Sequence, residues 1–309
     1  MSLTRSILSP VTTAGMLYPA LFQFISQIAM PNMVSRQFFQ TYSLTNSNSV
    51  TFSKQSGSPG ATVDEVSEGA QIPLDTTPYT SSNVVPKKIG QGIIITKEAI
   101  EDAMLPVQQD QMARKALRIA NKVDTDCMTA INAGVSGSTA ATGKSLALDG
   151  TEFVLSGSGG PGLGTYDLIN GKALMESVNY QPDTLIVNPL AKKYLERLPH
   201  YSAISYLGKS RYETGMPAKP GMFGTIQGLE CFSTNNCATG SAYIIARGTT
   251  PNILSQFSPL GYFVERRPLT TVIKPEESRD SLGIYITMRY GVTVINGSAS
   301  RAITGINVT

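Results

Sequence analysis

The chain has 309 residues, 15% charged and 41% hydrophobic, with 28 glycines, 18 prolines and a formal net charge of +3. A charged fraction well under the typical quarter excludes a highly charged disordered tail, the glycines show no period of three and so exclude collagen, and three cysteines in a long chain make no disulfide scaffold. One histidine, His200, cannot supply a two-histidine metal site within one subunit, and so small a net charge does not mark a nucleic-acid binder.

Charge is spread unevenly. Residues 1–63 carry Arg5, Arg36 and Lys54 and no acid, so a mildly basic arm, residues 1–44, precedes a neutral body. Its longest apolar stretch, Ala14–Met30, is interrupted by Pro19, Gln23, Ser26 and Gln27, which suits neither a membrane span nor a signal peptide. Leu17, Leu21, Phe24, Ile25 and Ile28 recur at helical spacing. They predict a short amphipathic helix that packs on its own body or on a neighbouring subunit, since its polar face lacks the Lys and Arg of a membrane-surface helix.

Residues 45–95 read as a long excursion. A strand pattern at Val50–Phe52 is followed by the next clear strand at Gly92–Thr96, and Gly57, Pro59, Gly60, Gly69, Pro73 and Pro78 between them forbid a helix. The far part, Gln55–Asn83, holds Asp64, Glu65, Glu68 and Asp75 and no base.

Thr96 offers an N-cap, with Glu98, Glu101 and Asp102 in the first turn where the helix dipole favours acids. From there Ile100, Met104, Val107, Met112, Ala116, Ile119, Val123, Cys127 and Ile131 keep a helical period to Gly134, read as the C′ residue. Such a helix spans about 55 Å at 1.5 Å per residue, with a kink expected at Pro106. Arg114, Lys115, Arg118 and Lys122 gather on one face, rotated from the apolar stripe.

A low-charge connector, residues 134–164, contains a hairpin signal near Phe153–Leu155. A second block opens at Thr165: a helix over Tyr166–Val178, a strand at Thr184–Val187, and a helix over Pro189–Leu198 capped by Asn188, with proline in its first position. Strand patterns follow at Leu229–Phe232, Ala242–Ala246 and Leu269–Ile273. Unbroken alternation from Leu282 to Val294 marks a long strand with one buried face.

No catalytic constellation emerges. Gly143-Lys144-Ser145 lacks the first glycine and the preceding strand of a phosphate loop, and no Gly-x-Ser-x-Gly elbow exists. His200 follows a helix end, where a solvent-facing C-terminal histidine is the simpler role. Cys231 and Cys237 have no second pair for zinc, and Asp124 and Asp126 lie on different helix faces. The odd number of thiols fits a reducing compartment.

The order of parts is more telling than any motif. Gly92–Asp102 looks like a passage from an extended loop's second arm into a long helix. Asp183–Pro189 with Tyr194-Leu195 looks like the strand-to-helix step of one domain, Ile226–Cys231 like the strand preceding that domain's last hairpin, and Arg289–Val294 like the closing strand of a second, peripheral domain. Together these resemble the major capsid proteins of tailed phages with the Hong Kong 97-type fold. The resemblance implies an α+β chain divided into N-terminal arm (1–44), extended β-hairpin loop (45–95), peripheral domain with its long spine helix (96–164), axial domain (165–258) and peripheral return strands (259–309). It implies a structural protein with no catalytic, cofactor or metal residues, forming hexamers and pentamers of an icosahedral shell around double-stranded DNA. Expected partners are other copies of the chain, separate scaffold, portal and decoration proteins, and packaged DNA contacted without sequence preference, with no membrane. The location implied is the virion capsid, assembled in the host cytoplasm.

Some members cross-link subunits through a lysine near the loop tip. Residues 55–83 contain no lysine, so that chemistry is not carried over. Asp64, Glu65, Glu68 and Asp75 are the candidate contacts to a neighbouring subunit's Arg114, Arg118 and Lys122; contact of that basic stripe with DNA, or simple solvation, are the rival readings. An encapsulin-type compartment and a small-oligomer enzyme with an unlisted Ser/Lys or Cys site also remain open.

Overall fold

The computed structural model describes residues 29, 33–55, 68, 79–96, 98, 107–146, 152–157, 160–197, 221–247, 260–276 and 280–308. After a 3-10 turn at Ser35–Phe38 come β1 (Gln40–Ser43), β2 (Val50–Gln55), β3 (Tyr79–Val84) and β4 (Lys87–Thr96), then α1 (Val107–Gly134). The connector forms β5 (Ser138–Ala140), β6 (Lys144–Leu146), β7 (Glu152–Val154), β8 (Ser156–Gly157) and β9 (Gly160–Pro161). Next are α2 (Thr165–Glu176), β10 (Thr184–Val187), α3 (Pro189–Glu196), β11 (Met222–Ile226), β12 (Leu229–Ser233) and β13 (Ser241–Ile245). The chain closes with β14 (Gly261–Glu276), β15 (Ser281–Val294) and β16 (Ser300–Thr304).

Two sheets organise these elements. The first has the order β1-β14-β15-β4, the second β11-β12-β10-β13-β16-β5, and β2 with β3, β6 with β7 and β8 with β9 form separate two-stranded ladders. On β15, Ile284, Ile286, Met288 and Tyr290 are buried, as are the facing Ile93 and Ile95 of β4. They pack beneath α1, whose Met112, Ala116, Ile119, Ala120, Val123, Cys127 and Ile131 form the buried stripe that the sequence period predicts. The four residues of β10 are all buried, as a central strand covered on both faces requires.

Local signals fix several boundaries. The Asn188 carbonyl oxygen of the side chain accepts from Leu190 N–H at 3.0 Å, and Pro189 opens α3. At the start of α2, buried Asp167 accepts from Gly164 N–H (2.9 Å), Gly143 N–H (3.0 Å), and Thr142 N–H and Oγ1 (2.8 and 2.6 Å), tying the connector to the helix. In the second sheet Arg247 joins Asp183 and Glu230, at 3.4 and 2.5 Å.

Several expectations gain detail or change. The second arm of the extended loop is β3, which pairs with β2 from Val50↔Val84 to Gln55↔Tyr79, whereas Gly92–Thr96 belongs to β4 and pairs with β15. Beyond Arg289–Val294, which ends the last strand of the four-stranded sheet, β16 runs on into the second sheet beside β13. β5 joins that sheet too, in parallel with β16, so boundaries at 164/165 and 258/259 do not separate the two sheets. Gly134 ends α1, but without the positive φ of a left-handed cap: a Cβ there would lie 2.4 Å from Val294 Cγ1, and close packing is what requires glycine. The N-terminal helix expected over Leu17–Ile28, the kink at Pro106 and His200 lie outside the described residues.

Candidate assembly surfaces

The β2–β3 ribbon is fastened at its base. Phe52 stacks on Tyr262 of β14, with ring centroids 4.2 Å apart and 6° between planes, and Tyr42 meets Phe52 edge-on at 5.5 Å. Leu44, Val84 and Val264 form a small buried cluster beside them, and Ser82 and Thr293 share a hydroxyl hydrogen bond of 3.1 Å. Away from the base little is covered, and Tyr79 is 70% exposed. A two-stranded ribbon is marginal in water by itself, so this one calls for a surface to lie on.

Of the basic stripe, Arg114, Arg118 and Lys122 occupy successive turns of α1 and are exposed, while Lys115 is half-buried. Two already have partners within the helix: Arg114 with Asp110 at 2.9 Å and Lys122 with Asp126 at 2.7 Å. Such exposed i,i+4 pairs contribute only about 0.3–0.5 kcal/mol and are exchangeable. The other Asp126 oxygen accepts from Tyr290 O–H at 2.7 Å, which with burial holds that phenol protonated well above its ordinary range. Of the acidic candidates, Asp64, Glu65 and Asp75 lie outside the described residues, and Glu68 is an exposed turn residue. The two candidate sets are thus not brought together by the described residues of one chain.

A second basic cluster lies at the base of the ribbon. Lys88 of β4, Arg289 of β15 and Arg267 of β14 stand directly opposite one another across three adjacent strands. With Arg266, Thr45, Thr287 and Met288 they line a concavity of about 310 Å³. Lys87 and Lys88 also border a second cleft, about 450 Å³, shared with Lys122, Asp126 and Tyr290 of the α1 side. The adjacent Arg266-Arg267 pair before Pro268 was the available sequence signal. A regular strand would send the two to opposite faces, so only the real register reveals the cluster.

The chemistry that a catalytic reading needs is not supported by the thiols. Cys231 and Cys237 are buried and burial pushes each up to about 12; Cys127, also buried and beside Asp124 and Asp126, is raised further. None offers a thiolate near neutral pH. The Thr142 and Gly143 amides that a phosphate would use are taken by Asp167. Among the described residues there is no cluster of three metal-ligating side chains, and no helix is long and apolar enough to cross a membrane.

A family profile described as phage capsid protein matches residues 79–304, from the first residue of β3 to the last of β16 and nearly three quarters of the chain. The chain belongs to the phage capsid protein family. Solved structures with the same fold include that of Microbacterium phage Oxtober96, at 12% identity and a TM-score of 0.58, covering 87% of this capsid chain and 90% of that one. The capsid structure of the cyanophage P-SCSP1u gives 12%, 0.58 and 87% of each chain. A virus-like particle from Pyrococcus furiosus gives 12% and 0.52, covering 93% of this chain and 99% of that one. No curated protein matches the sequence significantly. The α+β architecture of this capsid protein is that of the Hong Kong 97-type fold, and its role is structural.

Proposed function

We propose that the chain is the shell subunit of a tailed phage, assembling as hexamers and pentamers of an icosahedral capsid around double-stranded DNA and performing no catalysis. The observation that carries the reading is the family match running unbroken from β3 to β16, through both sheets and α1. The four-stranded sheet with α1 then makes the peripheral part of a capsomer and the six-stranded sheet its axial part. Scaffold and portal proteins are supplied as separate chains, decoration proteins bind the finished shell, and assembly takes place in the host cytoplasm.

Physically, assembly follows from surfaces that one subunit leaves open. Ile169, Leu174 and Val178 are exposed in and just after α2, Leu190 on α3, and Ile94 on the edge strand β4. Many moderate contacts of this kind, repeated by symmetry, drive closure of a shell. The acidic segment with Asp64, Glu65, Glu68 and Asp75 lies on a neighbour whose Arg114 and Lys122 exchange their internal partners for it, with Arg118 between them. Opposed charges there fix register more than affinity.

Electron microscopy of the purified protein tests the reading. Closed shells with hexameric and pentameric capsomers are expected; a single small uniform shell with protein cargo and no portal vertex would instead favour an encapsulin-type compartment, and discrete small oligomers would contradict both.

A further inference from the structure

The row Lys88–Arg289–Arg267 sets like charges directly opposite one another twice over, at a strand spacing of about 4.8 Å. Met288 and Tyr290, on either side of Arg289, are buried toward α1, so alternation places the row on the other face of the sheet. Directly opposed like charges destabilise a sheet, and among the described residues no carboxylate lies within salt-bridge distance of Lys88, Arg266, Arg267 or Arg289. Glu265, next to Arg266 in β14, is committed to Arg36 at 2.7 Å. Asn48 accepts from Arg266, and the Pro86 carbonyl accepts from Arg289 Nε at 3.2 Å, so the partners present are neutral.

The backbone is shaped to gather these cations. Pairing passes from Glu265↔Tyr290 to Arg267↔Arg289 and then to Thr270↔Thr287, so β14 carries an extra residue twice within five positions. Bulges of this kind re-aim side chains, and here the consecutive Arg266 and Arg267 both line one concavity. Pro268, which has no N–H to give a ladder, falls inside the irregular stretch.

We propose that this twice-bulged segment is an oxyanion site for an oligophosphate, a chain of two or more phosphoryl groups, held by Lys88, Arg266, Arg267 and Arg289. The site belongs to the single subunit and goes beyond the shell reading. Charge sets the class of ligand: a single phosphate brings roughly −2 at neutral pH and would leave about half of the four cations uncompensated. Three of the four are arginines, whose planar forks bind phosphate oxygens in pairs. The concavity of about 310 Å³ has room for more than one phosphoryl group, and Thr45 and Thr287 line it with hydroxyls. No aromatic ring lines it, so the phosphate chain is what the site reads, with no surface on which a base could stack. Cations converging on a concavity suit a compact anion, whereas a duplex is met by a stripe or an extended patch.

Isothermal titration of the purified full-length chain with sodium tripolyphosphate, inorganic phosphate and a short DNA duplex tests this. Tripolyphosphate should bind once per chain, at least about tenfold tighter than inorganic phosphate, and should raise the melting temperature. Arg267→Gln with Arg289→Gln should weaken tripolyphosphate more than about tenfold while raising the melting temperature of the unliganded chain, because the opposed charges are gone. Lys88→Gln, at an exposed position of an edge strand, should weaken binding without disturbing the β14–β15 ladder. Lys274→Gln, exposed on β14 outside the concavity, should leave binding unchanged. Binding that survives the double substitution, or that falls equally with Lys274→Gln, would reduce the site to general surface charge and overturn the proposal. A duplex that displaces tripolyphosphate at a lower phosphate concentration would assign the cluster to nucleic acid and overturn it too. Shells that form from a chain indifferent to tripolyphosphate leave the shell reading intact, and a chain that binds it but forms no shell does the reverse.

Discussion

Asp124 and Thr234 are 110 positions apart, yet Thr234 Oγ1 donates to the buried Asp124 carboxylate at 2.6 Å. The same carboxylate accepts from Asn236 Nδ2 at 2.9 Å and Ser35 N–H at 2.5 Å. One side chain of α1 therefore joins the turn before β1 to the loop after β12. Donors committed to a buried acceptor lose more when that acceptor is removed than the bonds are worth net.

Asp124→Ala should accordingly destabilise the unassembled subunit by about 3–5 kcal/mol, with Asp124→Asn milder because one oxygen still accepts. Urea unfolding of the monomeric chain measures this. A loss under about 1 kcal/mol would show that the three-way junction contributes little.

Gly134→Ala has the wrong sign for helix propensity. At an ordinary helical position the change stabilises by up to about 1 kcal/mol, but here the new Cβ meets Val294 Cγ1 at 2.4 Å and Val294 Cβ at 2.5 Å. A destabilisation of about 1–3 kcal/mol is expected, as for other overpacked sites. Thermal melts of the two chains decide the sign.

The thiols make stability fall at alkaline pH. Cys231 and Cys237 are raised in the fold from 9.0 to about 12, so unfolded chains release these protons first. Their contribution is complete below pH 9, declines as pH rises, and is gone above about 12, at up to about 1.4 kcal/mol per pH unit for each thiol. Cys→Ser variants should flatten this slope in a pH series of denaturant midpoints. Rapid alkylation of the native chain at pH 8 would contradict the burial.

Reversal of Asp64 and Glu65 to Lys should block shell formation while leaving the subunit's circular dichroism unchanged. Adding Arg118→Glu should restore part of the yield, since Arg118 is the one exposed cation of the α1 trio with no partner inside the helix among the described residues. Normal shells from the first variant would remove the acidic segment from the assembly mechanism.

Elements set by nearby residues were legible in the sequence. The Asn188-Pro189 cap, the apolar stripe of α1 and the alternation of β15 all rest on spacing within a few residues. What stayed hidden depends on distant pairing. β16 lies against β5 and β13, and β4 lies against β15 instead of serving the loop, which no local pattern states. The acidic segment and the α1 bases were visible as charge runs, whereas Arg266 and Arg267 became neighbours in one concavity only through two register shifts. Asp124 lies on the apolar stripe, four residues after buried Ala120 and three before buried Cys127, and that position was the sequence's hint of a buried acceptor.

The most direct measurement is the size of the purified wild-type particle, by electron microscopy with sizing chromatography. Closed icosahedral shells on the order of tens of nanometres across, built from hexameric and pentameric clusters of this chain, are what a capsid subunit with these open surfaces gives. A stable monomer of 33.0 kDa, or a small closed oligomer that never enlarges with added scaffold protein, would contradict it.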